Sequence, residues 1–188
     1  LELARPVVAV LYSKEEKLKD LIGELSIREV SQSFLFPNLQ RYYSKEMGGE
    51  LYKVFLCLDG FMQKEDLKEF KLWSLEKEKE FSKEGRRTLN IDPGYVDESH
   101  LVLASSKKRG GRLYLGEGVY AEIEYLYLYG GFRPLYWTYW DYRDRRVREF
   151  FQKVRENYLK NLNLAWKGEE FVLYRFSKDK VHKEVKAW

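Results

Sequence analysis

An α+β domain with a mostly antiparallel sheet is the fold class this sequence predicts, and three observations predict it. Strand and helix patterns follow the order β-α-β-β-α-β from Pro6 to Asp92. From Leu101 the helical spacing gives way to apolar–polar alternation, broken by Gly110-Gly111, Gly116 with Gly118, and Gly130-Gly131, the marks of a β-meander. Helical spacing then returns once, after Asp144. The opening order is that of a split βαβ, ferredoxin-like sandwich. A doubly wound α/β fold is the alternative, but too few helices alternate with strands in the second half.

Each element has its own signal. Pro6–Tyr12, PVVAVLY, is apolar on both faces, as a central strand must be. Ser13 and Glu16 read as a capping box for a helix whose stripe is Leu18, Leu21, Ile22 and Leu25. Ser26–Phe36 reads as a strand stopped by Pro37-Asn38, and Gln40–Gly49 as a connector. Leu51–Leu58 is a further strand, and Lys64–Phe81 a charged helix with Leu67, Phe70 and Trp73 buried. After the loop Ser82–Arg87, Pro93-Gly94 is expected to end any regular element, since Pro lacks a donor and Gly permits positive φ. Leu101–Ala104 is again apolar on both faces, and the meander strands are Arg112–Leu115, Val119–Tyr129 and Phe132–Trp137. Asp141 or Asp144 caps the last helix, striped by Val147, Phe150, Phe151, Val154, Tyr158 and Leu162. Glu169–Phe176 reads as a final strand, with a tail that frays or forms a short helix.

The 188 residues fit one domain with an adequate core. Charged residues make up 34%, above the usual ~25%, with Lys and Glu in excess, a profile expected of a thermophile. The net charge of +4 is well short of a nucleic-acid arm. The single cysteine, Cys57, lies in an apolar run and is expected to be buried and inert. No apolar run is long enough to span a membrane, and no signal-peptide pattern opens the chain, so a cytoplasmic location is the expectation. There is no P-loop motif, no GxSxG elbow and no dinucleotide fingerprint, and His100 and His182 lack metal-ligand spacing.

Four constellations remain. Alternation puts Glu122 and Glu124 on one face of a strand, opposite Val119, Ala121 and Ile123. Paired carboxylates hold Mg²⁺ or divide acid and base roles; the alternative is a solvated face with cross-strand Lys or Arg partners. Asn90 and Asp92 share a side just before Pro93-Gly94-Tyr95, as in a rigid turn aimed at a ligand, or as in an Asx-type turn bonding only local backbone. SSKKRGGR, Ser105–Arg112, is a basic hairpin tip whose Lys107 and Arg112 would meet phosphate or solvent. The run Trp137–Arg143 offers aromatics for stacking on a base or for the core, with Tyr142 and Arg143 at its end. Arg143, Arg145, Arg146 and Arg148 oppose the dipole at a helix start, which calls for a local ion pair or an anionic ligand.

Several of these segments together carry a resemblance. YYSKEMG at Tyr42–Gly48, then NIDPGY, LVLASSKK, RLYLGEGVYAE and WTYWDYR occur in this order. The set resembles the prokaryotic domain-of-unknown-function 4416 family, from about Ala4 to Leu162, with 163–188 as an extension. The family implies no established activity, substrate or cofactor; some members carry a GTP-binding label. Its tyrosine–aspartate motif usually has Pro where this chain has Trp140.

The expectation for function is binding of, or action on, a small phosphorylated or nucleotide-like ligand. Asp92, Glu122 and Asp141 are the catalytic candidates. Asn90, Tyr95, Lys107, Arg112, Tyr142 and Arg143 are the ligand-binding candidates. Asp92, Glu122 and Glu124 are the candidates for Mg²⁺. The alternatives are an RNA-binding module and an oligomeric protein-interaction domain. Acidic and basic groups in one cleft favour the first reading, a continuous basic surface the second.

Overall fold

The computed structural model describes all residues, 1–188. Its centre is strand β1 (Leu3–Tyr12), every residue of which is buried. One edge pairs with β5 (Leu89–Val96) from Arg5 to Tyr12. The other pairs with β3 (Tyr52–Leu58) from Val7 to Tyr12 and with β4 (Phe61–Gln63) at Leu3 and Ala4. Outside β3 lies β2 (Ile27–Val30), so β2-β3-β1-β5 has the antiparallel ferredoxin-like order expected. Beyond β5 the sheet continues through β6 (His100–Ser105) and β8 (Val119–Leu128), the latter flanked by β7 (Arg112–Gly116) and β9 (Gly131–Pro134).

A sheet buried on both faces needs two covering layers, and alternation along β1 supplies an apolar surface to each. Val8, Val10 and Tyr12 pack under α1 (Glu15–Ile22) and α3 (Leu67–Glu80), against Leu18, Leu21, Phe70 and Trp73. Val7 and Ala9 face α5 (Arg145–Trp166), against Val147, Phe151 and Val154. Asp144 caps α5 by accepting from the Arg146 N–H, and α4 (Trp140–Arg143) precedes it as a single turn.

Several expectations are corrected. Lys14, not Ser13, precedes α1, and no side chain caps it. The connector at Gln40–Gly49 is helix α2 (Pro37–Met47), with Pro37 at its first turn where the missing N–H costs nothing. Strand β2 is only four residues long, and Phe34 makes an isolated bridge to Lys53. Pro93-Gly94 does not end an element but lies inside β5. The Ile91 N–H is taken by the Glu78 carboxylate at 2.7 Å, so alternate residues of β5 turn their backbone groups away from β1 there. Pro93, two residues on, lacks its donor on that same edge, where pairing with β6 begins only at Gly94. Gly94 is required because a Cβ would stand 2.2 Å from the Val102 carbonyl oxygen.

The tail neither frays nor turns helical. β10 (Phe171–Phe176) pairs parallel with β4, and β11 (Val181–Lys186) pairs antiparallel with β10. The Phe70 ring stacks on Phe176 at 3.9 Å between centroids, which ties this addition to α3. Phe70→Ala is therefore expected to cost about 3–5 kcal/mol, measured by urea denaturation, with the near-ultraviolet signal of the aromatic cluster lost in the same transition.

Candidate functional site

Polar side chains from five separate segments converge at one end of the sheet, on the face that carries α5. The strand registers set the frame. Lys53 and Asn90 both pair with Leu11, and Leu103 and Arg112 both pair with Glu122. Leu89 and Ile91 belong to the α1–α3 core, so Asn90 and Asp92 point to the α5 side.

A β-bulge adds Tyr125 to the face on which alternation has placed the carboxylates. On β6, Leu101 faces Tyr125 but Val102 faces Ile123, so Glu124 is an extra residue in β8. Before the bulge Val119, Ala121 and Ile123 pack toward α3; after it Tyr125 and Tyr127 pack toward α5. Glu122, Glu124 and Tyr125 thus share the α5 side. Both carboxylates are buried, and the solvated-face alternative does not describe them. The cross-strand partner does exist: Arg112 Nη2 lies 3.4 Å from Glu122 Oε2 and also donates to the Tyr139 hydroxyl at 3.0 Å.

Arg112 owes its position to the strand order β6-β8-β7. Ser105–Arg112 is not a hairpin, because β8 lies between β6 and β7. The connection must cross β8, and it does so with Arg109 donating to the Trp137 carbonyl at 2.6 Å. The true hairpin, β7–β8, turns at Glu117-Gly118, both with positive φ, as a tight primed turn requires.

The electrostatics are unusual for an interior. Glu124 is fully buried, and neither carboxylate oxygen has a hydrogen-bond partner; Glu122 Oε1 and the Tyr142 hydroxyl are also unpartnered. Burial first, then the neighbouring Glu122, push the Glu124 carboxyl up to about 9, so at neutral pH it carries a proton. Lys53 forms a buried salt bridge with Asp141. Burial opposes the Lys53 charge, but Asp141 and Asp92 outweigh it and hold its pKa above the usual lysine range. An outer chain continues to the surface: Arg87 holds Glu46 with two contacts of 2.8 Å and Asn90 with one of 2.8 Å, and Asn90 donates to Asp92 at 3.1 Å. Burial, then the Asp92 charge, raise the Tyr43 hydroxyl well above its ordinary value.

Beside this network opens a cleft of about 720 Å³, lined by Arg109, Trp137, Tyr139 and Trp140 among others. Tyr139 joins the two, since it lines the cleft and accepts from Arg112. Arg109 lies over the Tyr139 ring at 4.4 Å. Trp137 is fixed by its indole N–H, which donates to the Ile123 carbonyl at 2.8 Å.

The chain's family match covers this whole region. The profile described as domain of unknown function (DUF4416) matches residues 3–158. The chain belongs to the DUF4416 family. No curated protein and no solved structure matches it. The DUF4416 span contains every residue of the polar network and of the cleft, while β10 and β11 lie beyond it.

Of the residues singled out in the sequence, the fold of this DUF4416 chain brings together Asn90, Asp92, Arg112, Glu122, Glu124, Asp141 and Tyr142. Lys107 stands at the rim, 3.3 Å from the Tyr42 hydroxyl. Tyr95 does not join them; it packs toward the α1–α3 core. Arg143 donates to the carbonyls of Thr138, Leu135 and Tyr136, so it braces the loop. Arg146 pairs with Asp144 at 2.8 Å, the local ion pair expected at this helix start. Asp92, Glu122 and Glu124 do not form a metal cluster: no group of three or more His, Cys, Asp or Glu side chains is set to hold an ion. Sequence reading passed over Lys53, whose signal was a lone charge inside the apolar run LYKVFLCL. Glu46, inside the motif YYSKEMG, and Arg87, in the loop before β5, carried no mark of their pairing.

Two outcomes follow from the network. Asp141→Asn leaves Lys53 without its nearest counter-charge and is expected to destabilise by about 3–5 kcal/mol, whereas Lys53→Met with Asp141→Leu stays close to wild type; a double-mutant cycle by chemical denaturation measures both. Glu124 binds a proton more tightly folded than unfolded, so its contribution to stability falls as pH rises from the ordinary 4.5 toward about 9. Glu124→Gln is expected to flatten that decline and to raise stability at pH 8 relative to wild type, read from melting temperature against pH.

Proposed function

We propose that this protein binds a small phosphorylated, nucleotide-like ligand in the cleft beside the buried network. The observation that carries the reading is an open cleft of aromatic faces with Arg109 and Arg143 in its wall, joined through Tyr139 to the buried carboxylates behind Arg112. Trp140 and Tyr136 are 78% and 98% exposed, so their faces are open to a planar ring. Lys107 and Lys108 are exposed on the crossing loop beside Arg109, where charge-assisted bonds to phosphate oxygens form readily. Asp92, with Lys71 Nζ at 3.7 Å from one carboxylate oxygen, keeps 34% of its side chain exposed and is the carboxylate nearest solvent for a hydrated Mg²⁺. Mg²⁺ commonly uses one or two carboxylates together with ligand phosphates, which suits a site without a preformed three-carboxylate cage. Glu122 and the protonated Glu124 then serve as a buried acid–base pair behind Arg112, reached through Tyr139.

The same exposed aromatics support a second reading, stacking of single-stranded RNA. Tryptophan fluorescence separates the two. Nucleotides and sugar phosphates, titrated with and without Mg²⁺, are expected to give saturable quenching, which Trp140→Ala weakens by about tenfold through loss of stacking. Binding of single-stranded RNA with steep salt dependence, and of no mononucleotide, replaces the first reading by the second. No response to any of these ligands removes both.

A further inference from the structure

A second cleft, of about 360 Å³, lies at the opposite end of the sheet between the β3–β4 junction, the end of α5 and β10. Its floor is Arg5. Leu3 and Val7 pack toward α5, so Arg5, between them on β1, points to the same side. The register explains why a long side chain fits there. Val7 pairs with Cys57 and Ala4 with Met62, so the residue-number sum changes from 64 to 66 between β3 and β4. Asp59-Gly60 is therefore a bulge in that edge, opposite Arg5.

Arg5 is 1% exposed and yet has no counter-charge. Its terminal nitrogens donate to two neutral acceptors, the Gly60 carbonyl and Asn161 Oδ1, and its Nε has no partner. The nearby carboxylate, Asp59, pairs with Arg28 at 3.2 Å instead. Burial holds the Arg5 guanidinium below its ordinary pKa. A buried, unpaired cation is costly in any fold. Two neutral acceptors leave part of its five-donor fork for an anion. Asn161 uses only its oxygen, which leaves its amide N–H groups to donate beside that fork.

The rest of the cleft selects among anions. Arg28 and Asp59 in the lining neutralise each other as a pair, and Glu169 and Glu170, exposed at the mouth, disfavour a doubly charged phosphate. They also accept an ammonium group. Phe61, Leu164, Ala165 and Val172 form an apolar wall. A planar monoanion at the floor, a cation at the mouth and an apolar side between them describe one molecule. We infer that this cleft binds a zwitterionic α-amino acid with an apolar side chain, its carboxylate on Arg5 and Asn161 and its ammonium toward Glu169 and Glu170. The site is separate from the DUF4416 polar network and does not depend on the reading given to it.

The test is a titration of the full chain with L-leucine, 4-methylpentanoate, isoamylamine and inorganic phosphate, followed by amide chemical shifts of Gly60, Asn161 and Val172. Leucine is expected to give saturable shifts at these positions by about 10 mM, with the deaminated acid weaker and the amine and phosphate silent. Arg5→Gln abolishes the response. Because Arg5 also ties the bulge, Leu164→Trp on the exposed rim provides a second variant, expected to weaken leucine by about tenfold or more with the fold intact. Absence of saturable leucine shifts, a stronger response to phosphate or to the amine, or leucine affinity unchanged in Leu164→Trp overturns the proposal. Equal binding of 4-methylpentanoate overturns the amino-acid assignment.

Discussion

Strand β1 is paired along both edges and covered on both faces, and the rest of the molecule is arranged to satisfy it. A strand in that position offers no surface to water, so its ten buried residues must meet apolar partners above and below. The split βαβ order supplies the layer of α1 and α3. The opposite face stays bare until the chain has built the meander and returned as α5. The long connection through β6–β9 is thus the route by which the second layer is reached, and the polar site is assembled along that route.

Where the α5 layer stops short of the sheet end, charge takes the place of apolar cover. α4 brings Asp141 over Lys53, and β7 sets Arg112 beside Glu122 across the strand pair. Such a network is expensive in an interior, because each ion loses its hydration and Glu124 has only the neighbouring Glu122 carboxylate to face. A packed apolar plug would serve stability better. The retention of unpartnered carboxyls and a free tyrosine hydroxyl next to an open aromatic cleft is the physical ground for reading this end as a binding site.

The other end shows the same logic with opposite sign. There an apolar cluster of Phe61, Tyr158, Phe171 and Leu173 closes the α5 face, yet Arg5 interrupts it without a counter-charge. The two ends differ in their connection to the family: the network and its cleft fall inside the matched span, whereas one wall of the Arg5 cleft comes from β10, which follows it.

Much of the architecture was legible in the chain because it depends on local periodicity. The two-faced run PVVAVLY, the stripe of Leu67, Phe70 and Trp73 and the glycine-separated meander identify a mostly antiparallel α+β fold. Glu122 and Glu124 were visible as same-face neighbours, and Asp92, Arg112 and Asp141 as polar groups in suggestive settings. Their convergence was not visible, because it depends on strand order and register. Only the tertiary structure places β8 between β6 and β7, and inserts a bulge at Glu124 that brings Tyr125 onto the face the two carboxylates already occupy. Lys53 and Arg5 show the same division: each is an ordinary cation within a strand pattern, and its burial is decided by what other segments lay over it. The sequence by itself determined most of the elements and their apolar faces, since these follow from spacing along one strand or helix; α2, β4 and β11, which are short or lie at an edge, emerge only in the folded structure. Partners for buried charges come from segments distant in the chain, so only the folded structure decides them.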